Sequence, residues 1–278
     1  MTFIPQSNSP AGLEFGPRRK EFGLQEALAK NWYAGSLFKT AWFNSMSLLF
    51  PLGEKFFIDS VCHFQEHIDD PQLLAEISAF RAQEATHRVQ HQKYNELLCE
   101  LRDYDLERFE KNERERMAWA YRELTARRRL AGTTASEHLT AIMAHDMLTS
   151  DYLPAAADAS IADLWLWHGV EETEHKAVAF DVYIAVGGTL RERRQALLLN
   201  TFFFFKDTFR NLCIMLQKEG KLWSLREWLS GFWFLFINPG IIRRSFVPWL
   251  RYFRKDFHPW QNDNRYLVEE WEKRQSAS

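Results

Sequence analysis

A Glu-x-x-His tetrad occurs twice in this chain, as Glu84-Ala-Thr-His87 and as Glu172-Thr-Glu-His175. An α-helix advances about 100° per residue, so the Glu and His of each tetrad stand about 60° and one turn apart. Both side chains of a tetrad then face the same interior. Each tetrad also follows a glutamate in an earlier helical segment, Glu54 before the first and Glu137 before the second. Glu followed by Glu-x-x-His, twice over, is the pattern with which a four-helix bundle holds two metal ions in its core.

The rest of the sequence agrees with an all-α chain. Residues 1–23 carry Pro5, Pro10, Gly12, Gly16 and Pro17 and read as an N-terminal arm over the surface. From about Leu24 onward apolar residues recur with helical spacing, and strand alternation is nearly absent. Helices are predicted over 36–67, 72–102, 106–130, 134–151, 159–186 and 190–219. Pro71, Gly132, Pro154 and Gly187-Gly188 punctuate them. Pro51 either kinks the first helix or begins a new one just before Glu54. This gives three parts: the arm 1–23, a dimetal bundle 24–195, and an aromatic-rich helical extension 196–278 packed on it. The Arg- and Glu-rich stretch 106–130 reads as a solvated helix with i,i+4 pairs.

Carboxylates and imidazoles suit iron, or manganese, and no thiolate stands in the set to favour zinc. Four carboxylates offset most of the charge of two divalent ions, and without metal they would repel one another in a poor dielectric. Asp59 and Glu66 compete with Glu54, which has the more apolar setting in FPLGEKFF. Glu171 and Glu174 lie about 100° and 160° away from Glu172, so they read as outer hydrogen-bond partners or as solvent-facing. Glu137 is the natural acid of its helix. His168, four residues before Glu172, lies on the inward face and extends the set to four Glu and three His. His91 is its competitor, with the alternative role of a hydrogen bond to a ligand. His138 points elsewhere.

The segments FPLGEKFF, QEATHRVQH, ASEHLTA, WHGVEETEHKAVAFDVY and FHPW resemble a bacterial family labelled predicted metal-dependent hydrolase, in the ferritin-like group. The resemblance covers roughly residues 20–265 and is most specific around 167–183. The ligand pattern is also similar to that of diiron N-oxygenases acting on arylamines, whose additional His lies four residues before the last Glu. That likeness implies Glu54, Glu84, His87, Glu137, His168, Glu172 and His175 as the site. The aromatic C-terminal part has no counterpart there, so the substrate is not carried over.

The leading expectation from the residues is a nonhaem diiron oxygenase or oxidase that activates O₂ to oxidise an apolar substrate, lipid-like or aromatic, an amine included. Electrons would come from an external donor, an electron-transfer partner, because the chain shows no flavin or dinucleotide fingerprint. The alternative, which the family label implies, is a dimetal hydrolase of an ester or phosphoester. The formal net charge of −2 and the lack of a basic tail argue against a nucleic-acid partner. Cys62, Cys99 and Cys213 are few and scattered, and no secretory leader is evident, which points to a reducing cytoplasm. The 11 Trp and 23 Phe crowd the second half, where Arg243, Arg244, Arg251, Arg254 and Lys255 interrupt them. This region reads as a lid over an apolar pocket, a peripheral membrane contact, or an oligomer interface such as that of a homodimer.

Overall fold

Polar caps set most of the helix starts. After the short α1 (Gln25–Leu28), the Ser36 side chain accepts from the Lys39 N–H ahead of α2 (Leu37–Ser47). Asp70, Asp105, Thr125 and Asp158 cap α4 (Pro71–Arg102), α5 (Leu106–Glu123), α6 (Ala126–Leu148) and α7 (Ala159–His175) in the same way. Each satisfies a backbone N–H that the first turn leaves open. Between α2 and α4 lies α3 (Phe50–Cys62), with Pro51 in its first turn, where a missing N–H costs nothing. The chain continues through α8 (Val178–Ala185) and α9 (Leu190–Lys218). It ends in α10 (Leu225–Phe232), a π-helical turn (Trp233–Ile237), α11 (Ile241–Arg251) and α12 (Arg265–Ser276). The computed structural model describes residues 7–10 and 12–276, and among these there is no β-strand, only an isolated bridge between Tyr33 and Ala157.

Helices α3, α4, α7 and α6 close a four-helix bundle, each packing on its neighbours around the ring. Two apolar clusters fix their directions. One holds Leu48, Tyr94, Met147 and Trp165, and the other holds Val61, Phe80, Leu130 and Val178. α3 and α7 therefore run from the first cluster towards the second, and α4 and α6 run back. The two parallel members α4 and α6 are joined by α5, which returns the chain along the outside. Between the two apolar layers lies a belt of buried carboxylates and imidazoles.

Several boundaries differ from the sequence reading. The first predicted helix breaks between Ser47 and Phe50, and Pro51 begins α3 rather than kinking a longer helix. The break expected at Gly132 falls instead at Leu124-Thr125, where Thr125 supplies the cap. Gly132 sits inside α6, and its carbonyl accepts from Asn200 of α9 at 2.6 Å. The helix predicted over 159–186 divides after His175. The division expected at 195/196 lies within α9, which packs on both α6 and α2, so the chain has no seam there. The stretch 106–130 is less solvated than expected, because Phe109, Glu110 and Glu113 are buried. Part of the predicted arm, residues 1–6 and 11, lies outside the described residues. No described helix is long and apolar enough to cross a membrane.

The C-terminal hairpin of α10 and α11 is keyed to α2 at Gly231. A β-carbon there would lie 2.3 Å from the buried Phe38 ring, which packs edge-on against Trp228. Gly231→Ala should therefore cost about 1–3 kcal/mol, read as a lowered Tm with earlier proteolysis between 221 and 251. An unchanged Tm would show that the key is not tight.

Candidate metal centre

Each of the four bundle helices delivers its acid to the belt. Glu54 comes from α3, Glu84 and His87 from α4, Glu137 from α6, and His168, Glu172 and His175 from α7; all are buried. Donor atoms of Glu54, Glu84 and His87 lie within 4.8 Å of one another, as do those of Glu84, Glu137 and His175, and of His87, His168 and Glu172. The structure thus brings together all seven residues expected from the sequence. The competitors are elsewhere. Asp59 pairs with Lys55 at 2.6 Å, Glu66 is exposed, and His138 stacks on Tyr252.

Hydrogen bonds outside the belt orient the imidazoles. Gln83 Nε2 donates to Gly16 O at 3.2 Å and to Glu174 Oε2 at 2.8 Å, so Gln83 Oε1 must accept from His175 Nδ1 at 2.9 Å. The lone pair of His175 is then on Nε2, 3.1 Å from Glu84 Oε1 and 3.5 Å from Glu137 Oε2. A second chain starts at Asn95, whose Nδ2 donates to Ser47 O at 2.9 Å. Its Oδ1 accepts from Ser47 Oγ at 2.7 Å, and Ser47 Oγ accepts from His91 Nδ1 at 2.8 Å. His91 Nε2 is left to accept from His168 Nδ1 at 2.7 Å. His168 Nε2 therefore presents a lone pair to Glu172 Oε1 at 2.9 Å and Glu54 Oε1 at 3.9 Å. At both histidines acceptor meets acceptor, and only a proton or a cation between them relieves it.

His87 is held from outside by Glu171, at 3.0 Å from its Nε2. Glu171 also accepts from the Arg18 N–H at 2.6 Å, and Arg18 grips Glu174 with both guanidinium nitrogens, at 2.6 and 2.7 Å. Burial pushes Glu171 up to about 8, with Arg18 opposing. Without a cation its proton can sit on either side of the His87 contact. A cation on the Nδ1 side makes Glu171 the acceptor. Sequence reasoning left Glu171 and Glu174 as outer partners or solvent-facing, and both are buried outer partners.

The electrostatics of the belt ask for positive charge. Burial, and then Glu84, Glu172 and Glu137, push Glu54 well above the usual carboxylate range; burial and then Glu172 and Glu84 do the same to Glu137. Burial would also raise Glu172, but His175 and His168 hold it well below. His175 is held well above its ordinary value by Glu172 and Glu84, against burial. Both oxygens of Glu54 and Glu137, Glu172 Oε2 and His87 Nδ1 are buried with no hydrogen-bond partner. Each such orphan costs about 1–3 kcal/mol, and oxygen and imidazole donors of this kind are what iron or manganese takes. The residues present fit metal ions.

A large cavity of about 740 Å³ adjoins the belt. It is lined by Gly53 and Ser136, next in sequence to Glu54 and Glu137, and by Phe56, Phe57, Leu139 and Phe203. Phe50, Thr140 and Met143 are shared with a small apolar space of about 30 Å³ that touches His168 and Glu172 and is roofed by Trp42, Phe43 and Ile241. Arg116, Arg129 and the buried Glu113 also line the large cavity. Sequence reasoning missed Gln83, Ser47, Asn95 and Arg18. Gln83 had a signal, as the neighbour of a ligand candidate, but Arg18 lies far away in an irregular segment.

The family model described as Predicted metal-dependent hydrolase matches residues 16–263. No curated protein and no solved structure matches the chain.

Glu54 and Glu137 bind their protons more tightly folded than unfolded. They favour the metal-free fold at low pH, and this contribution is lost as pH rises from about 4.3 through the raised folded values. Added metal has to displace those protons. The gain in Tm on adding Mn²⁺ or anaerobic Fe²⁺ should therefore be larger at pH 8 than at pH 6, by differential scanning fluorimetry. A gain independent of pH would count against proton displacement at the belt.

Proposed function

From the premise that the chain belongs to the predicted metal-dependent hydrolase family, we propose that it uses two divalent ions to cleave an ester or phosphoester with a large apolar part. The ligands would be Glu54, Glu84, His87, Glu137, His168, Glu172 and His175, and iron or manganese is the metal their donors suit. The observation that carries this reading is that imidazole lone pairs and orphaned carboxylate oxygens face one another inside a dry core. When bound, such an ion pair supplies Lewis-acid polarisation and water of lowered pKa.

The chain's own part is to bind, orient and exclude water. The cavity beside the belt has the size and apolar lining of a site for a chain-bearing or aromatic substrate. Phe50, Thr140 and Met143 would guide the scissile group towards Glu172 and His168. Glu113 lines the same cavity, and burial, against Arg116, pushes its carboxyl well above the usual range. It would keep its proton and donate a hydrogen bond to a substrate oxygen.

A second reading keeps the same ligands. Four carboxylates and three imidazoles without a thiolate also suit iron for O₂ activation on an apolar substrate, with electrons from an outside donor. The residues alone favour that chemistry, and the family description reverses the order.

Metal analysis after aerobic and anaerobic purification, followed by assays with p-nitrophenyl acyl esters, phosphoesters and O₂ uptake, separates the two. Turnover of an ester or phosphoester that chelator abolishes and metal restores is the expected result. Iron with reductant-dependent O₂ consumption and no ester turnover would favour the second reading. Glu84→Ala and Glu172→Ala should lose bound metal and more than about 100-fold in turnover, and His168→Ala with full metal occupancy would remove His168 from the set. Asn95→Leu reaches the belt only through Ser47 and His91. It should weaken metal affinity roughly 10- to 100-fold in equilibrium dialysis, and unchanged affinity would mean that the Asn95 chain does not orient His168.

A further inference from the structure

The hairpin of α10, the π-helical turn and α11 is apolar on both of its sides. Its inner side is core: Phe234, Leu235 and Ile241 are buried, and Glu227 turns inward to accept from the Phe38 N–H at 3.1 Å. On the outer side Leu225, Leu229, Phe232 and Phe236 fall within about 60° of one another on the helix wheel, with Trp233 at their edge. All five are exposed, Leu225 by 71%, and the Phe232 and Phe236 rings stack at 5.1 Å. The outer side of α11 repeats the pattern with Phe246, Val247 and Leu250, each exposed. Trp223, just before α10, is 92% exposed. So many large apolar side chains in one contiguous segment mark an interaction surface rather than scattered surface residues.

The charges on this segment say what covers it. From Lys221 to Lys255 the sequence carries seven basic residues, Lys221, Arg226, Arg243, Arg244, Arg251, Arg254 and Lys255, and one acid, Glu227. Glu227 faces inward. Arg244 pairs with Asp146 and Arg254 with Asp256. Among the described residues, Arg226, Arg243, Arg251 and Lys255 have no carboxylate within 4.0 Å. Arg243 instead caps the end of the π-helical turn, with contacts of 3.2 Å to Phe236 O and 3.4 Å to Ile237 O. Arginines flanking exposed Trp, Phe and Leu on a short helix match a surface that is anionic at the headgroups and apolar beneath. A second copy of the chain would bring these unpaired cations against their own kind.

We propose that the outer face of the α10–α11 hairpin docks on an anionic lipid bilayer, lying in the headgroup layer without spanning it. The apolar side chains of both helices enter the acyl boundary, and Arg226, Arg243 and Arg251 meet lipid phosphates. Ile241, on the inner side of the same hairpin, roofs the small apolar space beside His168 and Glu172. Docking therefore sets the bilayer against the wall of that space.

Flotation of the full-length protein with large unilamellar vesicles tests this independently of metal content or turnover. Vesicles of phosphatidylcholine with about one third phosphatidylserine should carry the protein up, and pure phosphatidylcholine should carry at least roughly tenfold less. The double variants Phe232→Ser/Trp233→Ser and Arg226→Glu/Arg251→Glu change only exposed side chains. Each should cut binding to the anionic vesicles roughly tenfold while Tm is kept. No flotation, equal flotation with neutral vesicles, or undiminished flotation of both variants overturns the proposal. So does a dimer in light scattering that the same variants split, which would make a second copy the occupant.

Discussion

Four carboxylates buried in one core need compensating positive charge, and most of this fold can be traced to that need. Glu54, Glu84, Glu137 and Glu172 come from four different helices, so their mutual repulsion acts across every contact of the bundle. Protons ease it in part, as the raised Glu54 and Glu137 and the protonated His175 show. Apolar layers above and below the belt exclude water, which raises the cost of unbalanced charge and the reward for balancing it. A pair of divalent ions removes the conflict in one step.

Orientation is supplied from outside the belt. Backbone carbonyls and side-chain amides are hydrogen-bond groups of fixed polarity, and they set the tautomers of His175 and His168 through Gln83 and through Asn95, Ser47 and His91. Such partners hold a ligand ring in place before the ion arrives. The same preorganisation serves hydrolysis and O₂ chemistry alike. What separates those reactions is the metal and the contents of the adjoining cavity.

The belt was legible in the sequence because it rests on helix periodicity alone. Spacings of three and four residues decide which side chains share a face, and no long-range knowledge is needed to place Glu84 beside His87 or His168 beside Glu172. Glu54 could be preferred to Asp59 and Glu66 because an acid among Phe50, Phe56 and Phe57 implies burial. Boundaries were harder. Gly132 reads as a breaker, yet α6 keeps it because a small residue admits Asn200 of α9. Thr125 reads as an ordinary helix residue, yet it caps α6. Arg18 and Asn95 were invisible as partners, since tertiary packing alone brings them to the site. The extent of α9 was blurred by its phenylalanines, which suggested a new region where the structure continues one helix.

The irregular segment before α1 touches the belt's outer partners more than once. Gly16 O receives Gln83, the Arg18 N–H and guanidinium hold Glu171 and Glu174, and Arg18 O accepts from Trp167 Nε1 at 2.9 Å. During synthesis this segment emerges early, while the acids it holds are made some 150 residues later. The rings of His87 and His175 can be locked only after α7 has left the ribosome and the leading strand of chain has folded back across it. Capture of the ions is thereby tied to completion of the bundle, so a nascent chain exposes its tetrads one at a time and not as a finished chelate.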